Sequence, residues 1–211
     1  MRNVQCKRMV ASLLVFLVCA LLSGCAPIVP VNYYQLSALQ MARIAPATPE
    51  AGKMVIGIGP VRLPEYLERP KIVTRVTPNR LQLADSHRWA ESLSENIPRV
   101  MGENLSVLLG TDRILLYPWP SSRTTDYQLI AEVYNFENEG DGAARLVVRW
   151  SVKGQDGGIL LSERRSNYRV PATSQGQEGL VVALNEVLGS FCREIAQELT
   201  PLLAKPSSSG L

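Results

Sequence analysis

From Ala144 to Lys153 the chain alternates with a period of two. Ala144, Leu146, Val148, Trp150 and Val152 fall on one side; Arg145, Arg149, Ser151 and Lys153 fall on the other, broken only by Val147. A strand points successive side chains to opposite faces, so this pattern presents one face to a core and one to water or a partner. A slip of one residue would turn the charged set inward, which fixes the register. Tyr127–Phe136 and Ile159–Arg169 read as its neighbours in an antiparallel meander, because Gly140-Asp141-Gly142 and Asp156-Gly157-Gly158 between them suit tight turns.

A sheet with one apolar face needs cover. Residues Ser174 to Leu203 supply it as a long helix: Leu180, Ala183, Leu184, Val187, Leu188, Phe191, Ile195, Leu199 and Leu202 form a wide apolar stripe. Glu186, Arg193, Glu194, Gln197 and Glu198 lie off the stripe. A second helix is expected from Ser92 to Leu109, with Gly110 as its cap and with Pro98 setting a later start or a kink. Further strands are expected at Tyr33–Leu39, Met54–Leu63 and Arg113–Tyr117, with a hairpin of Lys71–Thr77 and Arg80–Ala84. Residues 40–52 read as a loop, and Pro64–Pro70 as a bounded turn or short helical piece. The expected fold is α/β or α+β: one domain over residues 32–204, a mixed sheet with an antiparallel meander packed by two main helices. Residues 205–211 form a frayed tail.

The start of the chain follows a different logic. Arg2, Lys7 and Arg8 precede a run from Met9 to Leu22 in which only Ser12 is polar. The run is shorter than the roughly 20 residues that cross a bilayer as a helix, and it suits the apolar part of a secretory signal peptide over residues 1–24. Leu22-Ser23-Gly24-Cys25 is similar to the lipobox of bacterial lipoproteins. That resemblance implies cleavage between Gly24 and Cys25 and lipidation of Cys25. Residues 25–31 are then the lipidated Cys and a short tether, and Ala26 in place of Asp favours the outer membrane. Without residues 1–24, 19 basic residues face 19 acidic ones, so the remaining chain is neutral and lacks the charge footprint of a nucleic-acid binder. Cys192, in an apolar helical pattern, reads as a small core residue.

Little points to chemistry. His87 is the single histidine, too little for a zinc site built by the protein alone, and Asp85-Ser86-His87 is too close in sequence to form a catalytic triad. His87 reads as an ordinary loop residue. Gly57-Ile58-Gly59-Pro60 lacks the third glycine of a dinucleotide loop, since Arg62 holds that position. Asp126, Glu132, Glu137 and Asp141 are scattered, as solvated surface carboxylates are. No catalytic residue, metal or cofactor is expected.

The most distinctive stretch runs Gly59-Pro60-Val61-Arg62-Leu63-Pro64-Glu65-Tyr66-Leu67-Glu68-Arg69-Pro70, then Ile72-Val73-Thr74-Arg75, Asn79-Arg80-Leu81-Gln82-Leu83-Ala84 and His87-Arg88-Trp89-Ala90-Glu91-Ser92-Leu93. With Tyr33-Tyr34-Gln35-Leu36 it resembles the PqiC/YmbA lipoprotein family, auxiliary lipoproteins of ABC-type, MCE-linked transport systems. The resemblance implies a non-enzymatic protein on the periplasmic face of the outer membrane. It also implies an MCE-domain partner, a role in lipid traffic between membranes, and a ring-like homo-oligomer. A structural or secretion-pore scaffold of the outer membrane is the alternative. Pro64 and Pro70 bracket a rigid segment, and such a segment loses little entropy on binding. Pro64, Tyr66, Arg69, Arg88 and Trp89 are therefore candidate partner-binding residues, as aromatic and Arg side chains dominate binding hot spots. For Tyr66 and Trp89 a second reading stands open, as aromatics that cap the core.

Overall fold

The computed structural model describes residues 29–46, 48–49 and 51–204, and the folded unit begins at Val31. The expected signal segment, Gly24, Cys25 and the expected tail lie outside the described residues.

One strand organises the sheet. β6 (Tyr127–Glu139) pairs antiparallel with β7 (Ala143–Gly154) along its length, and β7 pairs antiparallel with β8 (Ile159–Pro171), which is the expected meander. The opposite edge of β6 is shared end to end by two strands. Its first half runs parallel to β2 (Ile56–Arg62), with Ile56 opposite Tyr127 and Arg62 opposite Glu132. Its last residues run parallel to β3 (Lys71–Thr77), with Thr74 opposite Asn138. β2 carries β5 (Ile114–Leu116), while β3 pairs with β4 (Arg80–Trp89), whose far edge takes β1 (Asn32–Tyr34) in parallel. Eight strands thus form one mixed sheet that forks at β6.

Helices α1 (Leu93–Leu109) and α2 (Gly176–Leu203) pack on each other, α1 against β2 and β5, and α2 against β6, β7 and β8. The alternation in β7 decides which face they cover: Ala144, Leu146, Val148, Trp150 and Val152 are all buried. Burying an aliphatic or aromatic side chain stabilises by about 1.5–3 kcal/mol, so this strand and the α2 stripe supply much of the core. Trp150 meets Phe191 edge to face, and its Nε1 donates to Ser166 Oγ at 3.1 Å, so the buried indole is both packed and satisfied. Val147, on the opposite face, is buried as well. In α2 the stripe shifts at its ends, where Val181 and Leu203 are buried while Leu180 and Leu202 are only half-buried.

α1 starts at Leu93 despite Pro98. Its first turn is held by the Asn96 N–H donating to Ser92 O at 2.9 Å and by Leu93 and Ile97, which anchor it in the core. At its other end Gly110 adopts φ +68°, and a Cβ there would lie 2.4 Å from Ile44 O, so only glycine fits both the left-handed cap and the neighbour.

Three expectations are corrected. The strand expected at Tyr33–Leu39 stops at Tyr34. Beyond it the chain leaves the sheet and is held by asparagine side chains on both helices. Asn96 and Asn104 of α1 accept the Leu36 and Leu39 N–H groups, each at 2.8 Å, and Asn185 of α2 accepts the Ser37 N–H at 3.1 Å. Leu36 is buried, and Leu39 packs where Gly189 leaves room on α2. The segment is apolar enough for a strand, but the amides give its backbone partners that no neighbouring strand provides. β4 runs on to Trp89 rather than ending at Ala84, because β1 gives it a second edge partner. His87 therefore lies in a strand, where its Nδ1 pairs with Tyr34 Oη at 2.9 Å.

Replacing Asn96 or Asn104 by Ala leaves a buried N–H without its acceptor, an expected loss of about 1–3 kcal/mol in urea unfolding. Faster hydrogen exchange at Leu36 or Leu39 accompanies it. Asn185→Ala costs less, since Ser37 reaches water. Cys192 is buried, and burial pushes its thiol up to about 12. Thiol reagents are expected to leave it unmodified in the folded protein and to label it fully in denaturant.

Candidate docking site

β2 and β3 leave a gap along the edge of β6 between Glu132 and Asn138. The Pro64–Pro70 segment, with a short 3₁₀ turn at Glu65–Leu67, connects the two strands across it. Pro64 fixes an extended entry at φ −68°, ψ 146°, and Leu67 drops into the core. Tyr66 turns to β6, where its Oη donates to Glu137 Oε2 at 2.5 Å and lies 3.1 Å from Tyr134 O.

Glu137 is the centre of this arrangement. It was expected among the solvated carboxylates, yet its side chain is only 1 % exposed. Its Oε1 accepts Arg75 Nε at 2.6 Å and Asn135 Nδ2 at 2.8 Å, and its Oε2 accepts Tyr66 Oη and the Phe136 N–H at 3.0 Å. Four donors on one carboxylate offset the cost of taking it out of water. Arg75 also donates from Nη1 to Pro78 O at 3.1 Å and lies 5.7 Å from the Tyr66 ring centre. Burial and the Glu137 carboxylate raise the Tyr66 hydroxyl above its ordinary range, so it stays protonated and donating at neutral pH. Of the other three carboxylates, Asp126 accepts the Val55 N–H at 2.7 Å, Glu132 accepts Tyr134 Oη at 2.9 Å, and Asp141 pairs with Arg169.

The five candidate residues separate. Pro64 and Tyr66 lie together on the bridging segment, and Arg69 is exposed at its far end. Arg88 and Trp89 lie on β4. Trp89 is 6 % exposed and belongs to the core, so its ring supports the sheet from within. Arg88 is half-buried, and its buried Nε has no hydrogen-bond partner among the described residues.

Beside Pro64 a cavity of about 190 Å³ is lined by Arg62, Leu63, Pro64, Glu132, Val133 and Tyr134. The Tyr134 ring has Arg149 at 5.4 Å and Arg165 at 5.8 Å from its centre, so two cations flank it. A wider hollow of about 620 Å³ lies beyond Arg75, between Pro78, Asn135, Glu139, Asp141 and Arg145. Pro64 of the bridge thus lines the first concavity, Arg75 lines the second, and the Arg75–Glu137 ion pair fixes Tyr66 from below, an arrangement suited to holding a partner segment. Sequence reasoning found the bridge but not its support. Glu137 is more than 60 residues from both Tyr66 and Arg75 along the chain, and no local pattern marks the three as a group. Among the described residues no cluster of His, Cys, Asp and Glu could hold a metal, and no helix is long and apolar enough to cross a membrane.

Breaking the buried pair is expected to cost more than losing one neutral donor. Arg75→Leu strands the Glu137 charge, with about 3–5 kcal/mol expected in urea unfolding. Tyr66→Phe removes one hydrogen bond, with about 1–2 kcal/mol expected.

Known proteins share this architecture and sequence. A crystal structure of a protein from Xanthomonas campestris superposes with a TM-score of 0.67 over 81% of this chain and 95% of that one, at 16% identity. A second, of an uncharacterized protein, gives 0.66 over 81% and 99%, at 20% identity. In sequence, the intermembrane transport lipoprotein PqiC of Escherichia coli K12 is 25% identical over 171 residues, 81% of this chain and 87% of its own length. Residues 34–196 match the family described as ABC-type transport auxiliary lipoprotein component. The chain therefore belongs to the ABC-type transport auxiliary lipoproteins, non-enzymatic components of transport systems.

Proposed function

We propose that the protein is held on the periplasmic face of the outer membrane by lipid on Cys25 and docks an MCE-domain protein of an intermembrane lipid transport system. The observation that carries this reading is where the family region starts. It begins at residue 34, nine positions after Cys25, so the lipobox-like sequence and the family domain are joined with almost no linker. At about 3.3–3.6 Å per residue, the stretch from Cys25 to Asn32 reaches no more than about 25 Å, which keeps the domain at the membrane. Stable anchoring takes more than one acyl chain, as the lipoprotein class supplies.

Docking falls to the Pro64–Tyr66 bridge and the Tyr134 side of the adjacent cavity. Both are pre-shaped: the bridge by proline and by the bond to Glu137, the ring by its flanking arginines. A preformed surface gives up little conformational freedom when a partner arrives. A ring-like homo-oligomer would multiply these contacts, because linked sites bind with a raised effective concentration.

The test is recovery of partners from crosslinked envelopes with the protein as bait, identified by mass spectrometry. The expected result is an MCE-domain protein, recovered less with Cys25→Ala and less again with Glu65→Arg or Tyr134→Ala, which leave the Glu137 network intact. Recovery of cell-wall enzymes or of the bait alone would overturn the transport-docking reading in favour of a scaffold.

A further inference from the structure

Where β1 meets β4, the two faces of the sheet differ sharply. Tyr34 packs against the core, and Trp89 is part of it. In the β1–β4 register Tyr33 stands opposite Arg88, and in the β3–β4 register Lys71 stands opposite the same Arg88. Ile72, next to Lys71, is again a core residue. Tyr33, Arg88 and Lys71 therefore form one row across three strands on the face turned away from the core. Tyr33 is 63 % exposed and Val31, two residues earlier, 38 % exposed. Exposed Arg69 lies two residues before Lys71.

The charge around this row is net positive. Arg69 and Arg88 have no carboxylate partner among the described residues. Lys71 pairs with Asp85 at 3.1 Å, and Asp85 is almost fully exposed. Glu91 is committed elsewhere, pairing with Arg99 of α1 and accepting Gln35 Nε2, while exposed Glu68 accepts only the neutral Ser94 Oγ of α1 at 3.0 Å and keeps its charge. Arg69, Lys71 and half-buried Arg88 thus bring three cations against the two exposed carboxylates of Asp85 and Glu68, beside an exposed aromatic ring.

We propose that this face, Tyr33 with Arg69, Lys71 and Arg88, docks on the anionic headgroup layer of a phospholipid membrane. The inference rests on the reading of Cys25 as the lipid anchor and deepens it. Position matters as much as composition. Tyr33 is eight residues after Cys25, so the row belongs to the part of the domain that a short tether holds nearest the bilayer. Tyr is a residue of the membrane–water interface, and Lys and Arg are drawn to anionic headgroups. The anchor alone leaves the domain free to swivel. A basic, aromatic face against the headgroups fixes which side of the protein points into the periplasm. It turns the Pro64–Tyr66 bridge into a surface of defined orientation, and it assigns Arg69 and Arg88 to lipid rather than to the protein partner.

The experiment uses the mature lipidated protein in vesicles of phosphatidylcholine with and without phosphatidylglycerol. Tyr33→Trp adds a fluorophore to the row, and brominated lipids quench fluorophores at the headgroup–acyl boundary. Relative to the unsubstituted protein, more than half of the fluorescence added by Tyr33→Trp is expected to be lost in the anionic vesicles. Most of it should return with Lys71→Glu or Arg69→Glu in the same background. Arg69 is exposed and without a carboxylate partner, so a fold defect in the first variant leaves the second informative. No loss in anionic vesicles, or equal loss in both compositions, overturns the docking face. Mass spectrometry of Cys25 separates the two levels. An unlipidated Cys25 removes the anchor reading and the docking face together, whereas a lipidated protein that stays on the vesicles without quenching removes the docking face alone.

Discussion

A single buried carboxylate ties together the two halves of the sheet. β6 lends one edge to two different strands, and a sheet built this way has a weak point where one ends and the other begins. Glu137 sits there with donors from β3, from β6 itself and from the bridge between β2 and β3. An ion pair so deeply buried contributes little net stability compared with an apolar pair, but it is costly to break and strict in its geometry. That strictness is what the fork needs. It fixes where β3 lies along β6, and through β3 it fixes β4 and β1.

The same economy appears on the helical side. The stretch after β1 could have continued the sheet; instead Asn96, Asn104 and Asn185 hold it across both helices. The first part of the folded domain is thereby bound to α1 and α2 as well as to β4. Any pull arriving through residues 31–34 is therefore shared by the sheet and the helices rather than peeling off a short edge strand.

Function follows from the two sides of the sheet. The helices cover one face with apolar packing. The other face keeps its charges and carries the bridge, the cavity beside Tyr134 and the basic row near Tyr33. An auxiliary lipoprotein of a transport system needs surfaces rather than a reaction centre, and the surfaces we propose lie on or beside strands whose register is fixed from within.

Much of this was legible in the chain itself. The β7 alternation, the α2 stripe and the glycine-bearing turns gave the meander and its helical cover, because those signals are local: a strand or helix states its buried face within a few residues. The Pro64–Pro70 bracket was legible for the same reason. Other features were decided only by tertiary structure. The fork at β6, the burial of Glu137 beneath Tyr66 and Arg75, and the asparagine-held segment after Tyr34 all join residues about 60 to 150 positions apart. Periodicity reports on neighbours along the chain, so a carboxylate that looks solvated and a segment that looks like a strand declare their true partners only when the sheet and helices have closed around them.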